Sequence, residues 1–350
     1  MELRVTIGDL FDRAAAEARP VVAQLELTYK CNLRCSFCYN APAGRAELDG
    51  DAWLRAIDKL KAAGAFHVIL TGGEPFRHRD FWKIAAGVRG RGLVLRVYTN
   101  GVALADEACA DRYAALAPFE TEVSLHGADA ATHDRLTGVR GSFDKLLAAL
   151  GNLSRRGLHV VAKTPVTKDN QGQLRAIEEV AGRFGCKVTF DLNITPTDDG
   201  DLSPLALAAE AEPLVEFLAD LAARRGAVPA PRDPRAAGPA CNAGRTIVTI
   251  DPYGDVFPCV AWRRRLGNIE EIEDFASFWR TAPVAPLTEV RRIADELPRT
   301  TLAASEEASY AAFCPGAAER ETGSPFSLGE VARRSGEIRR AAHRRYLDRR

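Results

Sequence analysis

From residue 20 to about 200, short apolar runs rich in β-branched residues alternate with longer stretches whose apolar positions recur every three or four residues. That rhythm predicts repeated βα units on a parallel sheet. Six strands are predicted: VVAQLELT (21–28), HVILTG (67–72), LVLRVYTN (93–100), ETEVSLHG (120–127), HVVAKTPV (159–166) and CKVTFDLN (186–193). Between them, DAWLRAIDKLKAAG places Trp53, Ile57 and Leu60 on one stripe and ends at Gly64. SFDKLLAALGNLSRRG and QLRAIEEVAGRFG repeat the pattern, each closed by glycine. Six units fall short of a closed eight-stranded barrel, so the expected fold is α/β, an open partial (βα)6 barrel of the TIM type.

The rhythm changes after the barrel. Residues 227–240, AVPAPRDPRAAGPA, have no apolar period and read as a linker. RTIVTIDPYGDVFPCVAW then reads as a hairpin turning on Asp251, Pro252, Tyr253 and Gly254. The expected organisation is an N-terminal segment (1–20), the barrel (21–226), the linker (227–240), a small α+β extension (241–326) and a basic helical tail (327–350). The tail carries paired arginines at 333/334, 339/340, 344/345 and 349/350, read as a solvated basic face on one helix.

Composition narrows the classes. With 350 residues, 46% of them hydrophobic, the chain can bury a large core. Its 47 basic and 47 acidic residues cancel, so net charge gives no reason to expect nucleic acid or an acidic membrane as partner. No signal peptide or membrane span is evident, and a cytoplasmic location is expected. In that reducing compartment the eight cysteines are read as metal ligands before disulfides.

The unusual motifs fall at the C-terminal ends of the predicted strands, where barrel enzymes build their sites. Cys31, Cys35 and Cys38 follow strand 1 as C-x3-C-x2-C, TGGEP (71–75) follows strand 2, YTNG (98–101) strand 3 and SLHG (124–127) strand 4. A closed zinc site needs four ligands, and no histidine lies near the triad to complete one. Three thiolates suit a cubane iron-sulfur cluster with one iron left open for a small molecule that chelates through an amine and a carboxylate. Methionine's α-amino acid end does this. Gly72 and Gly73 would allow a close backbone approach, and Glu74 would accept from the amine.

With Phe37 before the last cysteine and GGEP downstream, the chain resembles the radical S-adenosylmethionine (SAM) enzymes. The resemblance covers at least residues 20–200 and implies a [4Fe–4S] cluster that reductively cleaves SAM to a 5′-deoxyadenosyl radical, which takes hydrogen from substrate. It also implies cofactor contacts at Ser124, with Thr99 and Asn100 nearby, and at Arg135, whose fork suits the methionine carboxylate. Arg135 reads equally as a surface arginine on a helix, and Lys163 either as a residue at the barrel mouth or as a charge at a strand edge. An electron donor such as flavodoxin or ferredoxin is implied as a partner.

Cys241 and Cys259, spaced C-x12-G-x4-C around Gly254, are similar to the start of the SPASM and Twitch extensions, which hold auxiliary iron-sulfur clusters. The full cysteine set of a SPASM module is missing, and Cys314 in FCPG is the one further candidate. The resemblance thus implies one auxiliary [4Fe–4S] cluster on Cys241, Cys259 and Cys314, with a non-cysteine fourth ligand or an iron open to substrate. The alternative is that Cys314 is a buried small apolar residue and the auxiliary site is degenerate. Cys109 and Cys186 read as core residues. Val260 stands where sulfatase maturases of the family carry an aspartate base, so that reaction is not expected. Asp191, Asp198, Asp199 and Asp255 are alternative bases, and no catalytic residue is assigned. The leading expectation is a peptide maturase, with a separate protein recognising the leader of a ribosomally made peptide. A small-molecule enzyme acting on an aminoglycoside-like sugar or a tetrapyrrole is the alternative, and a non-catalytic metal- or nucleic-acid-binding protein the remote one.

Overall fold

The computed structural model describes residues 6–226, 231, 239–281 and 283–349. Helix α1 (Ile7–Ala16) precedes the βα units β1 (Val22–Thr28), α2 (Gly50–Ala63), β2 (His67–Gly72), α3 (Phe81–Gly90), β3 (Val94–Thr99), α4 (Glu107–Ala114), β4 (Glu120–Ser124), α5 (Ala130–Thr137), α6 (Ser142–Arg155), β5 (Val160–Pro165), α7 (Leu174–Gly182), β6 (Lys187–Asp191) and α8 (Ala211–Arg225). Beyond these lie β7 (Ile247–Ile250), β8 (Asp255–Phe257), β9 (Gly267–Asn268), α9 (Phe275–Arg280), α10 (Ala285–Glu296), α11 (Glu306–Tyr310), α12 (Pro315–Thr322) and α13 (Glu330–Leu347). The expected linker 227–240 lies almost wholly outside the described residues.

The six expected strands form a parallel sheet in the order β6-β5-β4-β3-β2-β1. The fourth ends sooner than its apolar run, because the His126 N–H leaves the sheet for His133 Nδ1 at 3.1 Å. Helix α2 shows how local sequence sets these units. Asp49 caps its start by accepting from the Ala52 N–H at 2.9 Å, and Gly64 ends it at φ 115°. Its stripe of Trp53, Ile57 and Leu60 is fully buried against the sheet.

The hairpin predicted for a separate extension instead continues the barrel sheet. β7 lies parallel to β1, and β8 and β9 follow antiparallel, making nine strands in one sheet among the described residues. The physical reason is the open edge of β1, whose backbone groups need partners once buried. Val248, Ile250 and Val256 accordingly share the barrel core. A second small core of Ala243, Trp262, Val290, Ile293 and Leu297 sits beneath Cys241 and Cys259.

Register separates the two faces of the sheet. Leu25, Leu70, Leu95, Val97, Val123 and Ala162 are fully buried in the core shared with the surrounding helices. The opposite parity is largely polar: Gln24, Arg96 and Glu120 share a row with Ile69, Tyr98 stands beside Glu122, and Ser124 beside Lys163 and Thr189. Purely structural parallel sheets bury apolar side chains on both faces. A polar inner wall marks this as a working concavity.

The arginine tail forms one helix, as expected, but its basic face is laced to acids of neighbouring helices. Arg345 reaches Glu212 and Glu216 at 2.9 Å each, Arg349 reaches Glu216 at 2.7 Å, and Arg344 reaches Glu306 at 3.1 Å.

Candidate functional site

The triad loop is fastened at several points to the strand ends around it. Arg34 and Ser36 donate backbone N–H bonds to the carbonyls of Thr137 and Leu136 at the end of α5, at 2.8 and 3.1 Å. Phe37 meets the buried His126 ring edge to face at 5.0 Å, and His126 stacks on His133. Near its base, Glu47 accepts from Thr28 Oγ1 at 2.8 Å and from the Tyr29 N–H at 3.0 Å. Asn40 Nδ2 donates to the Gly72 carbonyl at 3.1 Å, joining the loop to the glycine turn.

That turn depends on having no side chains. Gly72 has φ 124°, and a Cβ on it would lie 2.4 Å from the Thr28 carbonyl oxygen. One on Gly73 would lie 2.7 and 2.8 Å from the carbonyl oxygens of Tyr29 and Lys30. The double glycine is thus required first by the strand that feeds the cysteine loop.

Glu74 is placed differently from the free acceptor that its motif suggested. It is 1% exposed, and its carboxylate accepts from Thr99 Oγ1 at 2.8 Å, the Asn100 N–H at 2.8 Å and the Phe76 N–H at 3.2 Å. Burial outweighs these donors and pushes its carboxyl up to about 7. Glu74 therefore pins the end of β3 to the glycine turn. Asn100 carries the connection onward, donating through Nδ2 to Asn32 Oδ1 at 2.9 Å and to Cys31 Sγ at 3.8 Å.

The donor chemistry fits a metal cluster. Burial pushes the Cys35 thiol up to about 12, and the sulfurs of Cys38 and Cys31 beside it add to the effect. Cys31 and Cys38 are exposed and Cys35 is half-buried, so the trio is open to an incoming cluster, and neighbouring thiols ionise together readily only when cations supply the opposing charge, as iron does. Among the described residues, no three Cys, His, Asp or Glu side chains converge on a single metal-ion position. A cubane makes no such demand, since each thiolate binds a different corner iron.

A second trio forms in the extension. Burial pushes Cys259 up to about 12, with the sulfurs of Cys314 and Cys241 contributing next. Cys314 caps α12, its sulfur accepting from the Ala317 N–H at 3.5 Å. Gly316 permits the close approach: a Cβ there would lie 2.3 Å from the Ala261 carbonyl oxygen. Trp262 Nε1 donates to Glu319 at 2.7 Å, fastening the same two segments.

The remaining expected residues divide. Ser124 ends β4 on the inner wall, half-buried. Arg135 is exposed and lies 3.8 Å from Asp169. Lys163 stands on the inner wall, 3.7 Å from Asp191. Of the four aspartates weighed as bases, Asp191 alone stands by the inner wall. Asp198 is held in buried ion pairs, Asp255 is held by Arg45 and Arg265 at 2.6 and 2.9 Å, and Asp199 is exposed beside Thr197. Cys186 lies in the core and Cys109 packs against it.

Sequence reasoning passed over Glu26 and Arg263. Glu26 is fully buried, and both its oxygens accept from the Arg263 guanidinium, at 2.7 and 2.9 Å, with Tyr29 Oη adding a bond at 3.0 Å. Burial raises the Glu26 carboxyl, and the bidentate arginine opposes that rise. A lone carboxylate inside the apolar strand LELT was the available signal.

A model of the radical SAM superfamily matches residues 25–212, and one of an iron-sulfur cluster-binding domain, SPASM, matches residues 241–298. The chain belongs to the radical SAM superfamily and carries a SPASM-type extension. It is an enzyme of that class, whose cofactors are a [4Fe–4S] cluster, SAM and auxiliary iron-sulfur chemistry. It is 31% identical over 284 residues to the mycofactocin maturase MftC of Mycobacterium ulcerans, covering 76% of each chain. It is 28% identical over 295 residues to the AdoMet-dependent heme synthase of Methanosarcina barkeri, covering 76% of this chain and 83% of the relative. In fold it is similar to Streptococcus suis SuiB bound to SAM, with TM-score 0.68, 18% identity and coverage of 90% of this chain and 77% of the other. The same protein bound to its precursor peptide SuiA gives TM-score 0.61 at 18% identity, covering 83% and 73%.

Proposed function

We propose that this radical SAM enzyme is a maturase of a ribosomally made peptide. The observation that carries the reading is the polar inner wall, where Tyr98, Glu122, Ser124, Lys163 and Asp191 offer hydrogen-bonding groups to an extended chain. The named maturase among the relatives supports it.

In this reading Cys31, Cys35 and Cys38 hold the SAM-binding cluster, and Cys241, Cys259 and Cys314 hold the auxiliary one. Gly72, Gly73, Thr99, Asn100, Ser124 and Arg135 line the SAM site, with Glu74 positioning Thr99 and Asn100 from behind. When bound, the cluster and SAM supply a 5′-deoxyadenosyl radical that abstracts hydrogen from substrate. The chain's own residues orient and shield that event. Phe37 and His126 cover one side of the triad, and the buried Glu74 keeps the strand ends fixed and dry. Asp191, beside Lys163, is the inner-wall group placed to take a proton. A flavodoxin or ferredoxin supplies the electron, a separate protein presents the leader, and the enzyme works in the cytoplasm. No helix among the described residues is long and apolar enough to cross a membrane.

The test is to co-express the enzyme with each short peptide encoded beside its gene and weigh the products. A mass change on one peptide that disappears with Cys35→Ala supports the reading. Unmodified peptides, together with 5′-deoxyadenosine formation stimulated by a porphyrin or an aminosugar, would overturn it in favour of the small-molecule alternative, which the heme synthase relative represents.

A further inference from the structure

Four charged side chains form a continuous buried chain between the two cysteine trios. Glu26 pairs bidentately with Arg263, Arg263 pairs with Asp198 at 2.7 Å, and Asp198 pairs with Arg320 at 2.5 Å. Their side chains are 0, 10, 10 and 11% exposed in that order. The charges alternate and cancel, so whatever the chain does electrostatically it does as a set of oriented dipoles.

The orientation is not random. Glu26 lies on the strand that runs into the first cysteine loop and accepts from Tyr29 Oη at the loop's base. Asp198 donates its backbone N–H at 2.8 Å to the carbonyl of Tyr39, the neighbour of Cys38. Both anions thus attach to the first trio. Both cations belong to the second: Arg263 follows Cys259 on the same segment, and Arg320 projects from α12, the helix that Cys314 caps.

Reducing a cluster adds negative charge, which a nearby cation favours and a nearby anion opposes, and little solvent screens these groups. We infer that the Glu26–Arg263–Asp198–Arg320 chain sets the redox gap between the two clusters, holding the midpoint potential of the first down and that of the auxiliary one up. Of the two centres, the first would thereby be the stronger reductant. These four are positioning residues, acting through their mutual ion pairs. The inference rests on the presence of both clusters and is independent of what the substrate is.

The experiment is an EPR-monitored redox titration of the anaerobically reconstituted holoenzyme, without SAM or substrate, for the wild type, Arg320→Gln, Arg320→Lys and Asp198→Asn. The expected result is a lowered auxiliary potential in Arg320→Gln, its return to the wild-type value in Arg320→Lys, and a raised first-cluster potential in Asp198→Asn. Three results would overturn the proposal: equal potentials in all four proteins, a shift that Arg320→Lys reproduces, or loss of iron from Arg320→Lys. Each removes the charge of the pair as the source of the gap. Because no substrate enters the titration, its failure would leave the peptide reading untouched.

Discussion

The Asn100 backbone N–H donates to Glu74 Oε2 at 2.8 Å, so the glycine turn after β2 and the end of β3 are joined through one buried carboxylate. The bond has a pH signature. An unfolded chain releases the Glu74 proton near 4.5, while the folded chain holds it to about 7. Below the lower value both states are protonated and this contribution is fully present. Between the two values the folded state binds more protons, so stability falls as pH rises, by about 3 kcal/mol at ~1.4 kcal/mol per unit. In urea unfolding of the iron-free chain, Glu74→Gln should remove that slope. A variant whose pH profile parallels the wild type would show that Glu74 is not the group responsible.

Gly73 meets the carbonyls of Tyr29 and Lys30, and backbone atoms cannot swing aside as a side chain can. Gly73→Ala should therefore displace the triad loop. The expected result is a fold intact by far-ultraviolet circular dichroism with the iron of the first cluster largely lost. Normal iron content in this variant would count against the packing described for the turn.

The second trio has its own glycine test. A variant with Cys31, Cys35 and Cys38 all changed to alanine should keep about four irons if Cys241, Cys259 and Cys314 hold a cubane. Adding Gly316→Ala should release them, because α12 can no longer close on Ala261. Iron analysis of the two proteins decides it, and a triple variant that arrives without iron removes the auxiliary site.

Helix α2 tests the core. Leu60 is fully buried, so Leu60→Ala should cost about 2–5 kcal/mol in urea unfolding of the iron-free chain. Arg345 faces its glutamates on the surface, with 35% of its side chain exposed, and Arg345→Ala should change stability by less than about 1 kcal/mol. A large effect there would mean that the tail helix depends on its ion pairs rather than on Ile338, Ala342 and Tyr346 beneath it.

Alternation of apolar runs made the six parallel strands legible, because each strand face and each helix stripe is written in its own residues. The same rule missed the placement of β7. A short apolar strand carries no mark of which edge it will join, and the open side of β1 decided it. The cysteines and the GGEP turn were legible as motifs, since local spacing dictates their chemistry. Glu74 shows the limit: its motif suggested a ligand-facing acceptor, whereas the fold brings Thr99 and Asn100 to it from a strand 25 residues away in sequence. Arg263 and Glu26 are 237 residues apart, and no local pattern couples them.

The central claim is that Cys31, Cys35 and Cys38 carry radical chemistry on SAM. Anaerobically reconstituted protein should, with a strong reductant, convert SAM to 5′-deoxyadenosine. Cys35→Ala should abolish that product, while Cys186→Ala, a change in the core, should retain it. Undiminished 5′-deoxyadenosine from Cys35→Ala would contradict the account.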